Sequence, residues 1–165
     1  LANSTLQDIE DAIKVIIASE VDYLTSAHIY TVPAEADLTG PLQNMKFKRF
    51  PSVMLALEGF DSSTDEDERE PGTFVWTEHY YWMVFIVAKS FRTASKQIRG
   101  DSTLKGAYDL IEDVTNALQN VVFINGMIPC QVSSAKMISK TPTLTIYRID
   151  ITCGQDRGKE VNAPC

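Results

Sequence analysis

Signs of metal, redox or nucleotide chemistry are scarce in this chain. Its three cysteines, Cys130, Cys153 and Cys165, are odd in number and widely spaced, and they form no C-x-x-C pair. That removes the usual sequence marks of a zinc site or a disulfide framework. Cys130 and Cys153 fall in strand-like segments and are expected as buried thiols. The two histidines, His28 and His79, have no second ligand nearby at metal spacing. No Gly-x-Ser-x-Gly, Walker or Gly-x-Gly-x-x-Gly pattern occurs, so acyl transfer and nucleotide chemistry lack their usual hardware. Paired carboxylates such as Glu112 and Asp113, or Asp8 and Asp11, lie on helix faces where solvated charge is the default. No enzymatic activity, cofactor or metal is expected.

Long hydrophobic runs are missing too. The longest apolar-rich stretch, Tyr80 to Ala88, is half the roughly 18 residues a membrane span needs and reads as a strand. No basic-then-apolar leader precedes the first amphipathic segment, which points to the cytoplasm as the place of assembly. Positive charge is in deficit: 15 basic against 22 acidic residues give a net charge of −7 and a pI near 4.8. Such a surface does not grip nucleic acid by counterion release. It would instead suit a protein that surrounds DNA without holding it, because repulsion prevents sticking.

What remains is an ordinary globular composition over 165 residues, 44% hydrophobic and 22% charged, the size of one domain. Ser4 with Gln7 makes a capping-box pattern, and Leu6, Ile9, Ile13, Ile16, Ile17 and Leu24 follow at helical spacing, predicting a helix from residue 5 to about 23. His28 to Val32 is a short β-prone run, and an aperiodic loop follows Pro33. Ser52 to Gly59 reads as a central strand. Residues 61–70 hold six acids and one base with nothing apolar to bury, so they are expected as a solvated loop; their register fits no EF-hand.

Thr73 to Ala88 has a strong strand composition, with apolar residues on both parities in its second half. At roughly 3.3 Å per residue it would run about 50 Å, more than a small core requires, so one end should project as an arm or bend at a bulge. Thr77, Glu78 and His79 mark the expected exposed part. Lys89 to Thr103 reads as a basic loop, and a second helix, capped by Ser102 or Thr103, carries Leu104, Ala107, Tyr108, Ile111, Val114 and Leu118 to Asn120. Met127 to Ile138 and Leu144 to Cys153 form a hairpin. The predicted fold class is α+β, two helices packed on one face of a mostly antiparallel sheet in the order α-β-β-β-α-β-β, with a single domain over 1–153 and a polar tail over 154–165.

Surplus aromatic strand surface and two loops of opposite charge are materials for an interface. Trp76, Tyr80, Tyr81 and Trp82 are candidate anchors, with Trp82 equally suited to the core. Glu78, Asp65 and Glu66 on the acidic side and Arg92, Lys96 and Arg99 on the basic side complete the candidate interface, one loop facing a neighbour's other in a head-to-tail ring.

Several pieces of the chain resemble a known group. They are Ile-Glu-Asp-Ala-Ile in the first helix, Arg-Phe-Pro-Ser-Val-Met-Leu-Ala at the strand entry through Pro51, and the long aromatic strand. With them goes Arg99-Gly100-Asp101, leading into Gly106-Ala107-Tyr108-Asp-Leu-Ile-Glu-Asp-Val. Over most of residues 5–153 these are similar to the Mu-like phage and prophage tail terminator, or tail-completion, proteins. The resemblance implies a helix-flanked sheet and a structural virion protein of the phage tail, assembled in the host cytoplasm. It implies a ring, commonly of six copies, that caps the tail tube and meets the head connector. The implied partners are therefore further copies of the chain, the tube protein and the connector, with no specific nucleic acid and no membrane. Val121 to Gly126 departs from the group's tight glycine turn after the helix. The alternatives are another head-tail connector or tube-like subunit, or a small-molecule-binding domain or enzyme using the aromatic strand as a pocket wall.

Overall fold

The computed structural model describes residues 4–32, 49–64, 73–89, 94–100, 105–142 and 144–160. Its elements are helix α1 (Leu6–Glu20), a 3-10 turn (Ser26–His28), strands β1 (Ile29–Thr31), β2 (Ser52–Ser63) and β3 (Thr73–Lys89), helices α2 (Ala94–Arg99) and α3 (Ala107–Leu118), and strands β4 (Met127–Lys140) and β5 (Leu144–Glu160). One five-stranded sheet runs in the order β1-β2-β3-β5-β4, with β1 parallel to β2 and every other pair antiparallel. The α+β class and the element order predicted above hold, with α2 as an addition.

Helix α1 starts one residue later than its expected cap. Thr5, not Ser4, caps it: the Thr5 hydroxyl accepts from the Asp8 amide at 3.1 Å, and the Asp8 carboxylate accepts from the Thr5 amide at 2.8 Å. Thr5-x-x-Asp8 offers the same chemistry as Ser4-x-x-Gln7 with a charged acceptor, which the helix dipole favours. Hydrogen bonds from Thr5 hold the Asp8 carboxyl below its ordinary value. Helix α3 begins at Ala107, later than predicted. Gly106 is its N-cap, and its amide donates to Asp109 at 2.9 Å. A Cβ at Gly106 would lie 2.2 Å from the Gly100 nitrogen and 2.6 Å from the Ile98 oxygen. Glycine there lets the end of α2 pack directly on the start of α3. The predicted loop over 89–103 is thus replaced in part by strand at Lys89 and helix at 94–99.

Both long helices lie on one face of the sheet. Ile9, Ile13 and Ile17 of α1 and Leu110, Val114 and Leu118 of α3, each fully buried, pack over Val53, Leu55, Trp82, Val84, Ile149 and Ile151. The opposite face carries a second cluster, Met54, Met83, Phe85, Val87 and Ile146, against which Tyr30, Val32, Phe50 and Leu144 pack. Two apolar faces explain why the second half of β3 carries large side chains on both parities. Cys130 and Cys153 are buried as predicted, and burial pushes each thiol up to about 12; Cys165 lies outside the described residues.

After α3 the chain turns without the tight glycine of the tail terminator group. Asn120 takes the left-handed conformation (φ 61°) in its place, a position asparagine tolerates better than most residues. Its amide then bonds the Cys130 carbonyl at 2.8 Å.

Candidate functional site

The end of β2, the start of β3 and the end of β5 form an arm of the sheet, which β4 joins at its base through Met127↔Gln155 and Ile128↔Gly154. Register runs from Thr73↔Glu160 to Tyr80↔Cys153 on one side and from Phe60↔Tyr80 to Ser63↔Thr77 on the other. A bulge at Glu58, between the Leu57↔Trp82 and Gly59↔Tyr81 pairs, switches the parity of β2. Phe60 thereby joins the helix side of the sheet, where it stays 59% exposed against Tyr80. The bulge falls on β2 and not on β3, which pairs with β5 from Thr73 to Lys89 without a shift; nor does the polar tail expected from Gly154 form, since β5 continues to Glu160 and residues 161–165 lie outside the described set. Likewise Asp61–Ser63 belong to β2 instead of a solvated loop.

On the helix side of the arm the side chains form one hydrogen-bonded cluster. Glu78 accepts from Trp76 Nε1 at 3.1 Å, from Arg157 Nε at 2.6 Å and from the Tyr80 hydroxyl. Tyr80 in turn accepts from Gln155 Nε2 at 2.6 Å and Arg157 Nη2 at 3.2 Å. Gln155, fully buried, also pairs with the backbone of Ser4 in both directions, donating to its carbonyl at 2.9 Å and accepting from its amide at 3.2 Å. Arg157 Nη2 adds a bond to the same carbonyl at 2.9 Å. The start of α1 is therefore tied to the arm by groups 151 and 153 residues away. On the other side of the arm, Thr77 donates to Asp156 and Tyr81 to Asp61, each at 2.7 Å. Gly154 is required between them, since a Cβ there would sit 2.7 Å from the Glu78 carbonyl. Nearer the middle of that face Arg148 of β5 bonds Asp150 of the same strand at 2.5 Å and Glu58 of β2 at 2.8 Å, reaching across β3.

Burial pushes the Glu78 carboxyl up, but hydrogen bonds from Tyr80 and Trp76 and the Arg157 charge outweigh it and leave the group below its ordinary 4.5. Asp150 is likewise held below 3.8, burial being overcome by Ser134 and Arg148. Burial, reinforced by Glu78, pushes the Tyr80 hydroxyl up. As acid is added, the unfolded chain protonates these carboxyls first, so their contribution to stability is complete above their ordinary values and is lost as pH falls through the lower folded ones. We expect acid unfolding, followed by tryptophan fluorescence, to set in as pH drops below about 4.5, and Glu78→Gln to flatten that dependence. An unchanged slope in the variant would refute the assignment.

The structure brings Trp76, Glu78 and Tyr80 together but engages them within the chain. Tyr80 and Trp82 are 1% and 2% exposed, so these two rings belong to the core and are not the surplus surface expected for neighbours, while Trp76 and Tyr81 stay half-buried. Thr77, Glu78 and His79, expected to be exposed, are half-buried because β5 pairs along them. Arg99 is exposed at the end of α2, near the opposite end of β3 from the arm. Arg92, Asp65 and Glu66 lie outside the described residues, as does the side chain of Lys96. Gln155 and Arg157 carry no motif in the sequence, where Ser4 reads only as a helix cap, although Cys153, Gln155 and Arg157 keep the alternation of the preceding strand.

Among the described residues no group of three or more His, Cys, Asp or Glu is placed to hold a metal ion. Asp113, one of the paired carboxylates, accepts from the Tyr23 hydroxyl at 2.6 Å. Ser134 donates to Asp150 at 2.6 Å. Among the described residues no helix is long and apolar enough to cross a membrane.

The architecture defines a class: an α+β protein with helices on one face of its sheet and an arm of that sheet whose polar groups satisfy one another. Residues 5–153 match the protein family described as Bacteriophage Mu, Gp37, and the chain belongs to that family, a tail-related phage family. No individual curated protein matches the chain.

Proposed function

We propose that the protein is a phage tail terminator: a non-enzymatic virion subunit that assembles into a ring, caps the finished tail tube and joins it to the head connector. The observation that carries this reading is membership of a tail-related family along nearly the whole folded body, residues 5–153. The ring is taken as a hexamer of identical copies, built in the host bacterial cytoplasm and resident in the virion tail. Its neighbours are the tube protein and the connector. A net charge of −7 suits a channel that DNA crosses without adhering, since like charge keeps the duplex off the wall. The mutual satisfaction of polar groups on the arm supports a mechanical role, because a site built for chemistry keeps an acid, a base or a donor open toward a substrate.

A ring of six should scatter light as six times the 18.4 kDa chain. In a phage carrying a disrupted gene, electron microscopy should show tubes of uncontrolled length without heads, because nothing stops polymerisation or offers a joint. Tails of normal length attached to heads would overturn the reading. Free tubes of normal length beside tailless heads, a complete absence of tubes, or polymers formed by the purified chain itself would point to the connector or tube-like alternative.

A further inference from the structure

Two surfaces at opposite edges of the sheet complement each other. The first is the second half of β4. Up to Val132 the outer edge of this strand is covered: Asn120 and Val121 exchange backbone bonds with Cys130, and Gln119 Oε1 accepts from the Val132 amide at 2.8 Å. Beyond Val132, no such bond reaches the outer edge among the described residues. There Met137 and Ile138 are 47% and 41% exposed, because a register slip between Met137 and Ser139 turns Ile138 out of the ladder. Lys136, its side chain 65% exposed and its ammonium 3.7 Å from the Asp150 carboxylate of β5, and the exposed, C-terminal Lys140 of the strand stand on either side. Three bulges along β4 spoil the flat edge that strand-to-strand addition needs, so a partner must meet this segment through its side chains.

The second surface is a groove of about 480 Å³ between α1 and the β1–β2 side of the sheet. Leu6, Leu57 and Trp82 line its apolar part. On its polar rim Lys14 is already committed to Glu10 at 2.6 Å and to Thr31 at 2.7 Å. Asp11, exposed beside them, leaves the rim with more acid than base. A groove of this size takes small ligands and has room for two aliphatic side chains.

We propose that the groove receives Met137 and Ile138 of a second copy, with Lys140 of that copy set against the acidic rim at Asp11. The inference rests on the ring reading and gives it an interface. The two surfaces are different and lie at opposite edges, so each copy donates β4 to one neighbour and accepts it from the other. Such a head-to-tail contact closes into a ring when the rotation per copy allows. Apolar side chains supply the burial, and opposite charges fix the register.

Light scattering across a protein concentration series tests this, with thermal melts confirming that each variant folds. Met137→Asp combined with Ile138→Asp should leave a folded monomer. Asp11→Lys and Lys140→Glu should each raise the concentration of half-assembly at least tenfold, and the two in one chain should bring it back to within about threefold of the wild type, since a tenfold change corresponds to about 1.4 kcal/mol of contact. If the first variant does not fold, the charge pair decides alone, both positions being exposed. A folded Met137/Ile138 variant that assembles like the wild type, or a combined charge variant no better than the single ones, overturns the interface and leaves the ring standing. A wild-type chain that stays monomeric both alone and on purified tail tubes overturns both.

Discussion

Trp82→Ala should lower folding stability by about 3–5 kcal/mol, the range for removing a large aromatic side chain from a packed core. Trp82 is 2% exposed in the central strand β3, between Leu57 and Ile151 and within the cluster that α1 closes. The groove beside it admits water to part of the vacated space, which favours the lower half of that range. The indole N–H makes no hydrogen bond of sound geometry; its polar neighbour is the weakly accepting Cys153 sulfur. Trp82→Phe, which deletes that N–H and keeps an aromatic ring, should therefore cost no more than about 1.5 kcal/mol. Urea unfolding at one fixed protein concentration gives the difference as a midpoint shift at constant m. A loss below about 1 kcal/mol for the alanine variant would mean the side chain is not part of the core.

Arg157→Met should cost about 1–3 kcal/mol, between the values for exposed and buried ion pairs. The two side chains, 26% and 16% exposed, occupy that intermediate range. The methionine fills the space of the arginine stem but leaves the Glu78 carboxylate, the Ser4 carbonyl and the Tyr80 hydroxyl each without one donor. A double-mutant cycle with Glu78→Gln separates the pair from the rest. Neutralising Glu78 in the Arg157→Met background should recover part of the loss, giving a coupling of at least about 0.5 kcal/mol. Strictly additive effects would show that the cluster is an incidental contact. Hydrogen exchange supplies a second readout, because amides at the start of α1 should lose protection together with those of the arm.

The apolar spacing of Ile9, Ile13 and Ile17 and the double-sided apolar run of β3 were legible in the sequence, since each reflects a local period set by one element's own geometry. The cap of α1 was displaced by a single residue because Ser4 and Thr5 both offer a hydroxyl three positions before a suitable acceptor. Larger departures came where the deciding contact is distant. Gly154 to Glu160 is polar and glycine-containing and resembles a tail; it becomes strand because Thr73–His79 offers it a complete ladder, and Gln155 and Arg157 find Tyr80, Glu78 and Ser4 there. Helix α2 is six residues long and marginal by itself. It forms where the bare backbone of Gly106 lets it dock.

The sequence alone determined most of the elements, the α+β class and the side of each helix that is buried, because periodicity and composition act over a few neighbouring residues; the kinship with tail-related phage proteins rests instead on the resemblance of short motifs along residues 5–153. Tertiary structure alone decided that Tyr80 and Trp82 lie inside, that the arm is locked to the start of α1, and that exposed apolar residues gather on edge strand β4 while a groove opens on the β1–β2 side of the sheet. Those outcomes depend on strand register and on pairing across more than a hundred residues, where shifting a strand by one position exchanges its two faces.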